Sequence, residues 1–266
     1  MSPGWIILIL GIIVVVVYGV LIGIVYISGC TNAVTGHYNR WIEHCTPNPL
    51  HLTPILPLSM FPEHKLLEQH TDDIAQEIQE FLHFYRAPSA NEASPITFGN
   101  SFTDDGWRLV ILKFYNKNYL HIQSHFPKTM QCLKQCGNKV RLAMFSVLLP
   151  HHRIASHVGP FRGSMRYHLG LEIPIDRKDC FIEINGHKCH WMRGKSLLFD
   201  DTYTHQVYNN TNERRIVLFL DIQRDEHSLT PGMAWVNDMV CNSFLIHSLS
   251  QLNDKNEVPE KINDEQ

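Results

Sequence analysis

Two histidines in this sequence stand in contexts that suit a metal site. His157 lies in the stretch SHVGPFRGSMRYHLGL, and His205 follows an apolar run and an acidic turn in SLLFDDTYTHQ. Mononuclear iron oxygenases commonly use two histidines and one carboxylate on one face of the metal. Here Gly159 stands where that carboxylate is expected, two residues after His157. The pattern is therefore accidental, the remnant of a lost site, or a metal site with one ligand fewer than usual.

Arg215 is a third residue that could take part in chemistry. It begins the apolar run RIVLFLDI, where strand alternation would place it on one face with Val217, Phe219 and Asp221. A charge is costly to bury without a partner. The planar guanidinium group could bind a ligand carboxylate through two hydrogen bonds. The alternative is a buried ion pair between Arg215 and an aspartate of the protein itself.

Short strands separated by turn signals are the elements that must position these side chains. Predicted strands cover residues 107–116, 141–149, 165–173, 195–201 and 214–223, and a hairpin at 180–192 turns at Asn185-Gly186. Turns about every ten residues are typical of a sandwich or jelly roll, not of alternating β-α units. Helices are predicted at 62–86, 126–136 and 231–250. In the first of them Ile74 and Ile78 share the inner face, and Glu77 points elsewhere.

The N-terminal region predicts a membrane anchor. Residues 5–28, WIILILGIIVVVVYGVLIGIVYIS, contain 24 positions without a charge, which is long enough to span a bilayer. A cleaved signal peptide or a lipoprotein signal ending at Cys30 is disfavoured, because no basic segment precedes the apolar run. We therefore expect a single-pass membrane protein. The flanking charges leave open on which side of the membrane the rest of the chain lies.

Two further segments flank the predicted domain. Residues 29–61 are predicted to be a juxtamembrane linker, because the close prolines of PNPLHLTPILPL exclude a helix interior. Residues 251–266 form an acidic tail that we expect to be solvated. The tail accounts for the net charge of −3, so the remainder is balanced and has no basic character to attract nucleic acid. Asn209 begins a glycosylation sequon whose use is open, as is the pairing of the seven cysteines.

Three ordered blocks resemble one known family. HVGPFRGSMRYHLGLEIP, GKSLLFDDTYTHQVYN and RRIVLFLDI are similar to the aspartyl/asparaginyl β-hydroxylases, which are Fe(II)- and 2-oxoglutarate-dependent dioxygenases on a double-stranded β-helix of the jelly-roll or cupin type. The resemblance covers about residues 60–245. VILKFYNK and AMFSVLLP are similar to the bacterial branch that hydroxylates lipid A acyl chains. Gly159 instead matches the animal branch, whose HTG motif leaves two histidines as the only protein ligands.

The resemblance implies roles for the candidate residues. His157 and His205 would hold the iron. Arg215 would bind the distal carboxylate of 2-oxoglutarate, and Ser146 would hydrogen-bond the same group. His168 would approach the co-substrate.

Two more roles follow from the resemblance. Arg166, two residues before His168 on the same strand face, would meet the substrate or the co-substrate. Asp201, four residues before His205, matches an acid that would orient a metal-bound water or His205 itself. We also expect the space beside Gly159 to hold water or co-substrate near the metal position, with no Asp or Glu side chain reaching in to replace the missing ligand.

The expected activity is hydroxylation of an unactivated C–H bond by dioxygen in a dioxygenase domain over residues 62–250. The protein would use Fe(II) and 2-oxoglutarate, as the resemblance implies. The metal motif favours a peptidyl Asp or Asn as the acceptor. A lipid acyl chain and a non-catalytic binding protein on the same fold are the alternatives.

Overall fold

A computed structural model describes residues 31–93, 105–242 and 260–262, and within them the architecture is mainly β. The strands in chain order are β1 Trp107–Phe114, β2 Lys117–Asn118, β3 Val140–Leu148, β4 His152–His157, β5 Ser164–Glu172, β6 Cys180–Ile184, β7 His187–Cys189, β8 Ser196–Phe199, β9 His205–Asn209 and β10 Arg215–Gln223. They form a larger sheet of order β2-β1-β3-β10-β5-β8 and a smaller sheet of order β4-β9-β6-β7.

The connection of the two sheets is that of a jelly roll. From β3 onward the chain passes back and forth between them, and all the pairings are antiparallel. The first of these eight strands pairs with the last, β3 with β10, as in a double-stranded β-helix. The predicted jelly roll is confirmed within the described residues, and β1 and β2 extend its larger sheet.

The predicted strands lie where hydrophobic alternation indicated them. The hairpin β6–β7 turns at Asn185 and Gly186, whose positive φ angles of 46° and 80° suit the tight turn expected there. The two short strands β4 and β9 were not predicted, although they carry His157 and His205. Their sequences, HRIASH and HQVYN, are short and polar and lack the apolar run that marks the other strands.

Helices cover the larger sheet and the edges of the fold. They are α1 Thr31–His44, α2 His64–Gln69, α3 Thr71–Phe84, α4 Ala90–Ala93, α5 Leu120–Gln123, α6 Pro127–Gln135 and α7 Pro231–Cys241. The predicted helix over 62–86 is thus two helices, α2 and α3. The part of the predicted helix 231–250 beyond residue 242 lies outside the described residues.

Glu77 on α3 was expected to point away from the core, which is wrong. It is buried, and its carboxylate accepts hydrogen bonds from the backbone N–H groups of Lys128 and Thr129 at 2.6 and 2.9 Å. These N–H groups lie in the first turn of α6, where a helix has no internal acceptors for them. Glu77 therefore caps α6 from a neighbouring helix.

The segment predicted to be a linker is part of the folded domain wherever the structure describes it. Residues 31–44 form α1, and Phe61 is fully buried in the core. The Leu56 N–H donates to Leu198 O at 2.9 Å, and the Asp200 N–H donates to Pro54 O at 3.0 Å. The prolines do exclude an α-helix locally, but backbone pairing with β8 and its following turn holds the segment in place.

Of the two predicted terminal segments, the structure describes only a part of the tail. The expected anchor over 5–28 lies outside the described residues, and none of the helices found in the remainder is long and apolar enough to cross a membrane. Of the acidic tail, residues 260–262 are described. They pair with the end of α3, because Arg86 N–H donates to Glu260 O and Ile262 N–H donates to Phe84 O, both at 2.9 Å. This part of the tail is held and is not free, contrary to expectation.

Candidate active site

The structure brings His157 and His205 together. His157 ends β4, His205 begins β9, and the two residues are direct partners across the smaller sheet. Their ring centroids lie 4.0 Å apart. His205 is buried, with 3% of its surface exposed, whereas His157 is half-buried at the edge of the pair.

Backbone carbonyl groups set the orientation of both rings. The Nδ1 atom of His157 lies 2.8 Å from Ala155 O, and that of His205 lies 2.9 Å from Tyr203 O. A carbonyl oxygen only accepts, so each Nδ1 carries the proton and each Nε2 carries a lone pair. This is the tautomer in which a histidine binds a metal through Nε2, with its other nitrogen oriented by a hydrogen bond.

Burial also keeps the two rings uncharged. Desolvation, with repulsion from His157, lowers the pKa of His205 to about 3. Desolvation lowers the pKa of His157 as well, although its hydrogen bond to Ala155 opposes the shift. Neutral imidazole is the form that metals bind. Nothing in the charge state of the pair therefore opposes metal binding near neutral pH.

The space beside Gly159 is not open, because the Asp201 carboxylate adjoins it where water or co-substrate was expected. A Cβ atom built on Gly159 would overlap the carboxylate of Asp201. The Gly159 N–H also donates to the backbone oxygen of Asp201 at 2.7 Å. The turn before β9 thus places an acid against the loop after β4. Whether Asp201 orients a water or His205 stays a prediction.

Arg166 lies in the same cavity but is already held by two carboxylates. Its Nη2 lies 3.0 Å from Asp201 Oδ2, and its Nε lies 3.0 Å from Asp221 Oδ1. The guanidinium carbon is also 4.3 Å from the ring centroid of Phe219. Burial raises the pKa of Asp201 to about 7, against the opposing effect of Arg166. Arg166 was predicted to contact the substrate or co-substrate. Because two carboxylates already pair with it, such a contact would have to compete with these ion pairs.

Arg215 differs, because no described Asp or Glu pairs with it. It is 1% exposed, its Nε has no hydrogen-bond partner among the described residues, and burial lowers its pKa to about 10. The guanidinium carbon lies 4.7 Å from the ring centroid of Trp191. Asp221, the candidate internal partner, binds Arg166 instead. A buried cation without a counterion is the arrangement expected for a site that binds an anionic ligand.

Ser146 stands beside Arg215, as the resemblance implied. Its Oγ accepts the Trp107 indole N–H at 2.9 Å and an Arg215 N–H at 3.4 Å. With both hydrogen bonds accepted, the hydroxyl proton remains to be donated. A carboxylate bound to Arg215 would be an acceptor for it.

His168 is poised as a donor. The Trp191 indole N–H donates to His168 Nδ1 at 3.3 Å, which leaves the proton of this ring on Nε2. His168 Nε2 is buried and has no partner among the described residues. Burial, with repulsion from Arg215, holds the pKa of His168 well below its usual value. The ring is therefore a neutral donor that faces the cavity.

These side chains line one cavity between the two sheets. Six of the seven predicted site residues line it: Ser146, His157, Arg166, His168, His205 and Arg215. The rest of its wall is mostly apolar and consists of Trp107, Ile154, Ile182, Phe199, Val207 and Phe219. Asp201 lies behind Arg166, outside this wall. Within the described ranges, no group of three or more His, Cys, Asp or Glu side chains is arranged to hold a metal. The candidate metal site is thus a histidine pair.

Sequence reasoning missed two tryptophans. Trp107 begins β1 and contacts Ser146, and Trp191 lies between His168 and Arg215. Neither has a polar motif around it, and tryptophan in a strand-rich sequence is ordinarily a core residue. Only the indole N–H contacts identify them as supports of the site.

The protein is a jelly roll whose cavity holds two neutral histidines and an arginine without a carboxylate partner among the described residues. These features define a candidate metal and anion site between the two sheets. The model of the aspartyl/asparaginyl beta-hydroxylase family matches residues 68–225, and the chain belongs to that family. The predicted family is confirmed.

Curated relatives include enzymes named for two kinds of acceptor. The chain is 34% identical over 134 residues to the ornithine lipid ester-linked acyl 2-hydroxylase of Rhizobium tropici, covering 50% of this chain and 47% of that protein. It is 31% identical over 106 residues to human aspartyl/asparaginyl beta-hydroxylase, covering 40% of this chain and 13% of that protein. A third relative is aspartate beta-hydroxylase domain-containing protein 2 of Xenopus tropicalis, 28% identical over 176 residues, which cover 59% of this chain and 43% of that protein. The chain thus matches less than half the length of each.

Proposed function

We propose that this protein is an Fe(II)- and 2-oxoglutarate-dependent hydroxylase. One observation carries the proposal: two neutral histidines share a buried cavity with Arg215, a cation without a carboxylate partner among the described residues. The first feature suits a metal, and the second suits the anionic co-substrate. Family membership supports the same class of reaction.

Each residue of the cavity has a task in this proposal. His157 and His205 hold the metal through Nε2. Arg215 binds the distal carboxylate of 2-oxoglutarate, and Ser146 donates its hydroxyl proton to the same group. His168 donates from Nε2 to a second oxygen of the co-substrate. The apolar remainder of the wall keeps water away from the reacting C–H bond.

The bound groups supply the oxidising power that the side chains lack. With Fe(II), the reaction consumes 2-oxoglutarate, dioxygen and R–H and gives succinate, carbon dioxide and R–OH. The protein contributes orientation, charge compensation and exclusion of water.

A peptidyl Asp or Asn is the first candidate acceptor. Gly159 supports it, because the lipid A branch that the sequence resembles tends to carry an aspartate at this position. Named relatives of this chain include a human aspartyl/asparaginyl beta-hydroxylase.

A lipid acyl chain is the second candidate, and the state of Arg166 favours it. Of the two cations in the cavity wall, Arg215 is assigned to the co-substrate, and Arg166 is paired with Asp201 and Asp221. An acidic acceptor would have to compete for Arg166, whereas an acyl chain needs only the apolar wall of Ile154, Ile182 and Val207. The Rhizobium relative is named as an acyl hydroxylase.

The predicted anchor over residues 5–28 makes this a single-pass membrane enzyme in our proposal. Tethering at a bilayer gives the site access to acyl chains and equally to membrane-bound or passing proteins. Fractionation of cells that express the full chain tests the anchor. Removal of residues 5–28 should release the protein from the membrane fraction.

The decisive measurement is succinate formation from 2-oxoglutarate by the full chain with added Fe(II). We expect iron-dependent turnover that His205→Ala abolishes. His187→Ala is the matched control, because His187 is an exposed histidine on the same sheet. Mass spectrometry of peptide and lipid acceptors that gain one oxygen atom identifies the substrate.

The alternative, a non-catalytic protein that keeps the fold, gives a different result. It would bind 2-oxoglutarate in an Arg215-dependent way without forming succinate with any peptide or lipid acceptor. That outcome would exclude the enzyme and leave the anion site in place.

A further inference from the structure

The loop after His157 is held from outside the jelly roll. Residues 158–163 carry the chain from β4 in the smaller sheet to β5 in the larger one. On the inner side the Gly159 N–H donates to Asp201 O. On the outer side the loop contacts α1, a helix from the segment predicted to be a linker.

Asn39 of α1 forms two hydrogen bonds with this loop. Its Nδ2 donates to Pro160 O at 3.0 Å, and its Oδ1 accepts the Arg162 N–H at 2.8 Å. One turn of the loop is thereby closed by a single side-chain amide. Next to it, the rings of Tyr38 and Phe161 stack with centroids 5.2 Å apart and planes 13° apart.

Glu43, one helical turn further along α1, is connected to the other histidine strand through Arg162. It pairs with Arg162. The Nε of Arg162 lies 3.1 Å from Asp200 Oδ2 and 2.9 Å from Thr202 Oγ1. Asp200 is fully buried, and this turn leads directly into His205. The Glu43–Arg162 pair therefore links α1 to the turn before β9 as well as to the loop after β4.

A second helix supports the same arrangement. Tyr38 donates its hydroxyl proton to Asn237 of α7 at 2.7 Å, and Asn237 Nδ2 donates to Gly163 O at 2.8 Å. Asn237 is fully buried. Both α1 and α7 lie outside residues 68–225, the range that matches the family. Family membership therefore says nothing about these supports.

We propose that α1 is a strut that positions the two metal-binding strand ends, with Asn39 and Glu43 as its positioning residues. The metal-site part of this inference rests on the proposed function. The predicted anchor ends at residue 28, three residues before α1 begins. The strut would then connect the attachment of the chain at the bilayer to the geometry of the site.

The two histidines need outside support because of where they lie in their strands. His157 and His205 stand at strand ends, where each strand runs into a turn, and a site with only two protein ligands has no third one to restrain it. Supporting groups that orient metal ligands typically change metal affinity about 10- to 100-fold when they are removed. Asn39 and Glu43 contact the loop beside His157 and not the histidines themselves, so we expect a smaller loss of metal affinity, about five- to tenfold.

The test uses the full chain in detergent and Mn(II) as the probe. Asn39→Ala and Glu43→Gln should each weaken Mn(II) binding, followed by electron paramagnetic resonance of the free ion, about five- to tenfold. Hydrogen exchange in the metal-free protein should become faster in the segment 157–161, which includes Gly159, whose N–H donates to Asp201 O and not to Asn39. His44→Ala, an exposed position on the same helix, should leave both measurements at wild-type values.

Asn39→Asp provides a graded variant. It keeps the acceptor for the Arg162 N–H and loses the donor to Pro160 O, so its exchange rate should lie between those of wild type and Asn39→Ala. It also serves if Asn39→Ala does not fold. Wild-type Mn(II) affinity and wild-type exchange at 157–161 in the Asn39 and Glu43 variants would overturn the strut.

Failure of the proposed metal site would look different. The wild-type protein would then bind no Mn(II) in a way that depends on His157 and His205. In that case hydrogen exchange in residues 157–161 alone would test the strut. Faster exchange in the Asn39 and Glu43 variants would support it, and unchanged exchange would refute it.

Discussion

Gly159 and Asp201 lie against each other across the mouth of the two histidine strands. The Gly159 N–H donates to the backbone oxygen of Asp201 at 2.7 Å, and the Asp201 carboxylate fills the space that a side chain at position 159 would enter. The absence of a carboxylate after His157 and the presence of one before His205 are therefore two aspects of one packing arrangement. A larger residue at 159 cannot be accommodated while the Asp201 carboxylate keeps its present position.

This exclusion predicts a non-additive pair of substitutions. Gly159→Ala should lower the free energy of unfolding by about 1–3 kcal/mol, because the new methyl group has no space. In an Asp201→Ala background the same change should cost at least about 1 kcal/mol less. Urea unfolding of the two single variants and the double variant measures the coupling. Strict additivity would contradict the packing described here.

Arg215 should lower the free energy of unfolding of the cofactor-free protein, because its charge is buried without a counterion among the described residues. Replacement by Met keeps much of the side-chain volume and removes the charge, so we expect a gain of about 1–3 kcal/mol in unfolding free energy. The same variant should lose the thermal stabilisation that 2-oxoglutarate gives to the wild type. Thermal unfolding with and without 2-oxoglutarate tests both parts. Arg166→Met is the comparison, and it should destabilise, because it leaves Asp201 and Asp221 unpaired.

Trp191 should influence co-substrate binding by keeping the proton of His168 on Nε2. In Trp191→Phe the indole donor to His168 Nδ1 is lost, so the ring no longer has a preferred tautomer. We expect the Kd for 2-oxoglutarate to rise about fivefold, consistent with the loss of one oriented hydrogen bond. Metal affinity should remain unchanged. Calorimetric titration measures the change, and Trp235→Phe, at an exposed tryptophan of α7, is the control. An equal loss in both variants would exclude a specific role of Trp191.

The sequon at Asn209 should carry no glycan in the folded protein. Asn209 is fully buried, and its Nδ2 donates to Leu148 O, Leu149 O and Glu213 O at 3.2, 3.1 and 2.8 Å. A sugar on this nitrogen would remove these bonds and has no room. Peptide mass spectrometry of protein secreted or retained by glycosylating cells should find Asn209 unmodified in the folded fraction. Asn209→Ala should lower the unfolding free energy by about 2–3 kcal/mol, because buried carbonyl groups lose their donor. A glycosylated, folded protein would refute this assignment.

The sequence determined the strands that have a regular apolar pattern. The alternation of β5, the apolar run of β10 and the Asn185-Gly186 turn are local signals, because side-chain period and turn conformation depend on neighbouring residues. His157, His205 and Arg215 were also recognisable as candidates from their sequence contexts, and the family resemblance implied Ser146, Arg166, His168 and Asp201. Six of the seven line one cavity.

Only the tertiary structure decided how these residues are paired. Arg166 and Arg215 are both arginines on inner strand faces, yet Asp221 lies opposite Arg166 in the register of β5 and β10 and leaves Arg215 without an acid. The contact of Asp201 with Gly159 joins residues 42 positions apart, and that of Asn39 with Arg162 joins residues 123 positions apart. A segment rich in proline reads locally as a linker, but its backbone pairs with a distant strand. Pattern and propensity act over a few residues, whereas charge pairing and close packing depend on which distant segments the fold brings into contact.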